Sequence, residues 1–239
     1  LTLDSSVPYA IATNVATSSF KAASDTSGNK ALSVIMKSAA SNSDLVFKDC
    51  FITSLTLSGD AGTEGGRVKF SATFQSGTKV ASGELTATDV AVDTAITAND
   101  YFMSGWDADD RIIAGVANGV ISSFSLTVDN PLTFSGIAST GYEQAIRSGE
   151  ISATASFSVL YDDNFLDMFE RFNTTQAAGA TTGATLMNHQ ASLANEYFGF
   201  KFPKSIITEV SFNEGSSMML DVSVKAIGSG SADLFEIAC

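Results

Sequence analysis

Histidine, tryptophan, proline and cysteine are scarce in this chain: its 239 residues include one His, one Trp, three Pro and two Cys. The single histidine, His189, lies in a polar stretch with no Cys or His beside it, which argues against a metal centre or a Ser-His couple built there. Cys50 and Cys239 are too few and too far apart for a disulfide framework or a ligand set, and they read as unpaired thiols of a chain made in a reducing compartment. Cations are also short. Against 26 Asp and Glu stand 13 Lys and Arg, a formal net charge of -13, with no basic run. Gripping nucleic acid needs clustered cations, so that function class is disfavoured, whereas repelling phosphate is not.

Long apolar runs are missing too, so no segment reaches the roughly 18 to 20 residues of a membrane helix. The opening LTLDSSVPYA lacks the basic start and apolar stretch of a signal peptide. The chain starts at Leu1, as expected of a fragment or of a chain that has lost a leader. What it does have is 44% hydrophobic residues, enough for one large core or two modest ones.

Period-two alternation dominates the pattern, with Gly, Asn, Asp and Ser between the strands, and this predicts a mainly β fold. In FITSLTLS, Phe51, Thr53, Leu55 and Leu57 share one face while Ile52, Ser54, Thr56 and Ser58 share the other. The acidic, glycine-rich GDAGTEGG (59–66) reads as a hairpin tip leading into the return strand RVKFSATF. The ribbon is then written a second time. FITSLTLSGD (51–60) matches VISSFSLTVD (120–129), with Ile52 on Ile121, Ser54 on Ser123, Leu57 on Leu126 and Asp60 on Asp129. Aligning Gly66 with Gly149 places the return strands on each other, Ala72 on Ala155 and Phe74 on Phe157.

One segment reads as helix. In DDNFLDMFERFNTT, the residues Phe165, Leu166, Met168, Phe169 and Phe172 make an apolar stripe, Asp162 or Asp163 is available as N-cap, and a helix over about 163–173 is expected to plug one end of a β-sandwich. Residues 174–192, small and polar, read as a loop, as do 16–29 and 38–43. Strands are expected near 31–37 and over 196–202, 205–212 and 217–227, with Pro203 at a break or an edge. DYFMSGWDADDRIIAG reads as a hairpin turning at DADD (107–110).

No catalytic constellation emerges. GTEGGR stands between two strands, so it lacks the helix N-terminus of a phosphate-binding loop. Asp107, Asp109 and Asp110 lack the spaced ligands of a calcium loop, Asp162 and Asp163 suit helix capping, and Trp106 alone makes no sugar platform. The reading is therefore a protein without enzymatic activity, metal or cofactor.

The succession DCFITSLTLSGDAGTEGGRVKFSATFQSG, GVISSFSLTVDNPLTF, IRSGEISATASFSVLYDDNFLDMFERF and FGFKFPKSIITEVSF resembles the tail tube proteins of long-tailed bacteriophages. It is most similar to the group with two tandem copies of the tube fold, and the resemblance covers most of residues 45–228. It implies tandem tail-tube-like β-sandwich or barrel units, 1–95 and 96–239, with one flanking helix. It further implies a virion protein, made in the host cytoplasm, whose rings stack into a tube that conducts DNA during ejection. The partners so implied are further copies of the chain, as trimeric pseudo-hexameric or hexameric rings, and other tail proteins; DNA passes without specific binding and no membrane is engaged. Ser54, Thr56, Ser58, Ser123, Ser125 and Thr127 would then face the lumen. The loop holding Asp60 and Glu64, together with 174–192, would reach the next ring. The alternatives are a secreted or surface β-sandwich adhesin, which predicts an export signal and exposed aromatics, and a hydrolase using Asp107, Asp109 or Asp110, which requires a cleft.

Overall fold

The computed structural model describes residues 17–20, 32–36, 45–76, 81–82, 103, 111–117, 120–137, 143–163, 165–178, 183–188, 199–214, 218–227 and 234–238. In chain order the strands are β1 Thr17–Phe20, β2 Leu32–Met36, β3 Leu45–Asp60, β4 Lys69–Ser76, β5 Ala81–Ser82, β6 Ile112–Ile113, β7 Val116–Ala117, β8 Ile121–Asp129, β9 Leu132–Ile137, β10 Glu143–Arg147 and β11 Ser152–Leu160. The helix α1, Phe165–Ala178, follows, and then β12 Gly183–Asn188, β13 Gly199–Glu214, β14 Met218–Ala226 and β15 Phe235–Ala238. The fold is mainly β, as the alternation predicts.

The long layer runs β4-β3-β8-β11-β14-β13, every neighbouring pair antiparallel. Alternation decides its two faces. Leu55 and Leu57 on β3, Phe124, Leu126 and Val128 on β8, Ala155, Phe157 and Val159 on β11, and Leu220, Val222 and Val224 on β14 are all buried. The first half of β13 leaves this layer and pairs with β12 and β15, while β12 carries the β6–β7 hairpin. This second group closes the sandwich. Phe200 stacks on Phe124 at 5.7 Å and on Phe157 at 6.5 Å, and Phe202 meets Phe235 edge-on at 5.7 Å.

Two bulges in β13 make the change of layer possible. Against β12 the register slips where Pro203 and Lys204 oppose Ala184 alone, so Pro203 occupies a bulge, where its missing N–H costs no ladder bond. The slip also changes phase: Phe200 and Phe202 are buried before it, Ser205 and Ile207 after it. A second slip at Thr208 restores the phase, so that Val210 and Phe212 stand opposite Val222 and Leu220.

The duplicated ribbon takes a definite form. β3 pairs directly with β8, so strands from 1–95 and from 96–239 share one ladder, and Leu57 stands opposite its own counterpart Leu126. Each strand has a bulge at the matching position, Thr53 in β3 and Ser122 in β8. Thr53 Oγ1 donates to Thr73 O at 3.2 Å, and Ser122 Oγ donates to Ser158 O at 3.2 Å. Asn130 N donates to Thr53 O at 2.8 Å, and Ala61 N donates to Ser122 O at 2.8 Å. These paired features relate the ribbons by a local twofold axis perpendicular to the sheet, passing between Leu57 and Leu126. The return strands match with a two-residue shift from the Gly66–Gly149 alignment: Thr73 corresponds to Ser158, and Ala72 to Phe157 rather than to Ala155. An even shift preserves which face each residue occupies, so composition alone does not detect it.

Other expectations need correction. The helix begins at Phe165 and runs to Ala178, five residues beyond 173, because NTTQAA carries no breaker. It packs on β13 through Met168 and Phe172, while Leu166 and Phe169 remain 63% and 41% exposed; only part of the stripe is core. Residues 183–188, read as loop, form β12, and 17–20, also read as loop, form β1 against β15. A further hairpin, β6–β7, turns at Ala114–Gly115, both with positive φ (48° and 83°), which suits a two-residue turn; the turn expected at DADD (107–110) lies outside the described residues. Residues 106–110 and His189 lie outside the described residues. The link between β8 and β11 is not plain connection: β9 and β10 pair as a separate two-stranded sheet.

Candidate functional site

The face of the long layer turned away from the core is a field of hydroxyls. Direct cross-strand pairing aligns Ser58, Ser125, Ser156 and Ser223 in one row across β3, β8, β11 and β14. The next row is Thr56, Thr127, Thr154 and Lys225. Residues directly opposite in an antiparallel sheet share a face, so each row is continuous across four strands.

All six residues expected on this face are there together. Ser54, Thr56 and Ser58 stand opposite Asp129, Thr127 and Ser125, and Ser123 stands opposite Asp60. The Ser54 hydroxyl donates to Asp129 Oδ1 at 3.1 Å. The twofold makes Ser54–Asp129 and Asp60–Ser123 equivalent pairs at the two ends of the junction. Sequence reasoning did not include Thr154, Ser156, Ser158 and Ser223, which extend the rows; alternation in SATASFSVL and MMLDVSVKA carries the signal that would have found them.

Charge is sparse on this face and of mixed sign. Asp60, Asp129, Glu209 and Asp221 stand beside Lys69 and Lys225, each placed there by a hydroxyl partner directly opposite or, for Asp129, by Ser54. Asn213 Nδ2 donates to Asp221 Oδ2 at 3.2 Å. The surface therefore offers many weak hydrogen-bonding groups and little net attraction for a polyanion.

The tip at one end of the junction is tightly built. Asp60 Oδ1 accepts from Gly62 N at 2.7 Å, Asp60 O accepts from Thr63 N at 3.1 Å, and Thr63 O accepts from Gly66 N at 2.9 Å. The Asp60 carboxylate thus shapes its own turn. Glu64 begins a short 3-10 turn, Glu64–Gly66, in which Gly65 and Gly66 have positive φ. At the same rim Val120, Tyr161 and Met218 are 52%, 41% and 61% exposed, and the backbone ties Tyr161 N to Met218 O. The opposite rim carries the β9–β10 hairpin, which leaves β8 just after Asp129.

No group of three or more His, Cys, Asp or Glu able to hold a metal occurs among the described residues. No helix of the described residues is long and apolar enough to cross a membrane. A search of curated proteins returned no match. The model of the phage tail tube protein family matches residues 7–226. That span takes in both ribbons, the helix and all the strands that close the sandwich except β15. The chain therefore belongs to the phage tail tube proteins, a structural family of the virion tail that assembles with itself and with other tail proteins.

Proposed function

We propose that the chain forms rings that stack into the tail tube, with the hydroxyl-covered face lining the bore through which DNA leaves during ejection. The observation that carries this reading is the two rows of seven hydroxyls and one lysine, Ser58–Ser125–Ser156–Ser223 and Thr56–Thr127–Thr154–Lys225, on the open face of one continuous sheet. Ser54, Thr56, Ser58, Ser123, Ser125 and Thr127 lie at its centre. Hydroxyls hold a water layer, and the small acidic excess among the charged side chains there discourages lasting phosphate contacts.

The local twofold bears on how many chains make a ring. Rotation about the bore keeps every strand direction unchanged, whereas the axis relating the ribbons reverses it, since β3 and β8 run antiparallel. The two ribbons therefore do not take equivalent positions around a ring. One chain supplies one position, and the hexameric arrangement is favoured over the trimeric pseudo-hexamer of tandem units 1–95 and 96–239. Stacking brings the rim of Asp60, Glu64, Val120, Tyr161 and Met218 against the β9–β10 rim of the next ring.

Electron microscopy of the purified chain tests the reading: rings or tubes with an open centre are expected, and a dispersed monomer across salt and protein concentration refutes it. A second prediction concerns charge. The double variant Asp129→Lys, Asp221→Lys is expected to assemble, because these side chains lie on the open face of interior strands, but to slow DNA ejection in a manner relieved by added salt. Ejection at the normal rate from such tubes would remove the electrostatic part of the proposal.

A further inference from the structure

The charged groups of the open face are sorted by row. The row through Asp60, Ser123, Ser158 and Asp221 holds two carboxylates and no cation, and the row through Ser54, Asp129 and Ser152 holds one carboxylate. Between them, the serine row begins at Lys69 on β4 and ends at Glu209 on β13, so its two charges cancel. The threonine row differs. Among the described residues it holds one cation, Lys225, and no carboxylate. Lys225 is exposed and stands between Thr154 on β11 and Ile206 on β13, so its stem has an apolar neighbour while its ammonium stays in water. Three of the carboxylates are held differently. Asp60 Oδ1 accepts from Gly62 N, Asp129 Oδ1 from the Ser54 hydroxyl and Asp221 Oδ2 from Asn213 Nδ2. Those short side chains are tied to their neighbours, whereas the longer lysine reaches out from the sheet.

We propose that Lys225 is the point at which the wall of the bore touches DNA: one ammonium per chain, together a ring of cations that meets the phosphates of the passing duplex. The inference rests on the tube reading above and identifies the group that sets the drag on DNA. Rotation about the bore repeats Lys225 at a single height whatever the tilt of the strands, so these cations act together. Asp221 lies four residues away on the same strand, about 13 Å along it at the usual rise of a β-strand. That is beyond the screening length of about 8 Å at physiological ionic strength. A phosphate beside Lys225 therefore meets the ammonium with little opposition from that carboxylate. The hydroxyls and carboxylates elsewhere on the face give a polyanion nothing to hold, so contact at this ring is brief and is renewed as each phosphate passes. Contact of this kind slows the duplex and weakens as salt rises.

Ejection rates from particles carrying tube variants, measured across salt concentrations, test the assignment. Lys225→Gln changes an exposed position and leaves the core untouched. It should release DNA at least about twofold faster than the parent at low salt, the scale of one surface ion pair, and its rate should vary less with salt. Lys225→Arg keeps the charge and should match the parent in both respects. A merely structural role would not separate Lys225→Gln from Lys225→Arg by salt dependence. Parental rate and salt dependence in Lys225→Gln, slower release from it, or loss of its tubes would each overturn the assignment and leave the tube reading standing. Failure of the parent chain to form tubes would instead overturn the tube reading.

Discussion

Replacing Phe200 by Ala is expected to destabilise the fold by about 3–5 kcal/mol, the range for removing a large buried aromatic side chain from a core. Phe200 is fully buried and joins the two layers of the sandwich. It lies nearly parallel to Phe124 (27°) and to Phe157 (18°), which are themselves a cross-strand pair between β8 and β11, and it meets Phe202 at 6.3 Å. Truncation removes three ring contacts together and leaves a cavity that strands on both sides cannot close without breaking register. A domain with the usual margin of about 5–15 kcal/mol would lose a large share of it. The denaturant midpoint measures the loss, and a change under about 1 kcal/mol would show that the layers are held together elsewhere. Phe200→Leu, which keeps apolar volume, should recover much of it.

Gly183→Ala is expected to cost about 3–5 kcal/mol by combining overpacking with lost buried hydrogen bonds. A Cβ on Gly183 would collide with the backbone carbonyl of Ala114, at the turn between β6 and β7. That turn cannot easily withdraw. Ala114 N donates to Thr185 Oγ1 at 2.9 Å, Gly115 N donates to Ala184 O at 2.7 Å, and Arg171 Nη1 donates to Ala114 O at 3.0 Å. Ser205 Oγ donates to Gly183 O at 2.8 Å, so the 2.7 Å bond between the two hydroxyls has Thr185 as donor. Thr185 and Ser205 are fully buried, and moving the turn would leave this chain of donors unsatisfied. Thr185→Val separates the two effects, because it removes the hydroxyl but adds no backbone collision; it should cost less than Gly183→Ala. Thermal unfolding of both variants checks the order, and equal losses would mean that the close approach at Gly183 is relieved by a small shift.

Strand existence was legible wherever the alternation was clean. From Ser54 and Ser123 onward, FITSLTLS and VISSFSLTV keep in the fold the apolar and hydroxyl-bearing faces read in sequence, whereas the bulges at Thr53 and Ser122 turn Ile52 and Ile121, read on the hydroxyl faces, to the core. The misread segments were those whose local composition is neutral. GATLMN has a mixed pattern and becomes β12 because the first half of β13 and Ile112 of β6 offer it partners. NTTQAA stays helical because the preceding turns anchor on β13 through Met168 and Phe172. Bulges were illegible for a different reason. Thr53, Ser122 and Thr208 look like ordinary strand residues, and only the partner strand shows that one residue is extra.

By itself, the sequence determined the β class, the two-faced strands, the repeated ribbon and the family, because burial on one face writes a period of two into the chain. It could not determine how the repeats relate. Tertiary structure alone decided that β3 lies antiparallel against β8, with Leu57 on Leu126, and that β4 and the second half of β13 form the ends of the layer. Side-chain period records which way each residue faces but carries no information about which strand lies next to which, or in which direction it runs.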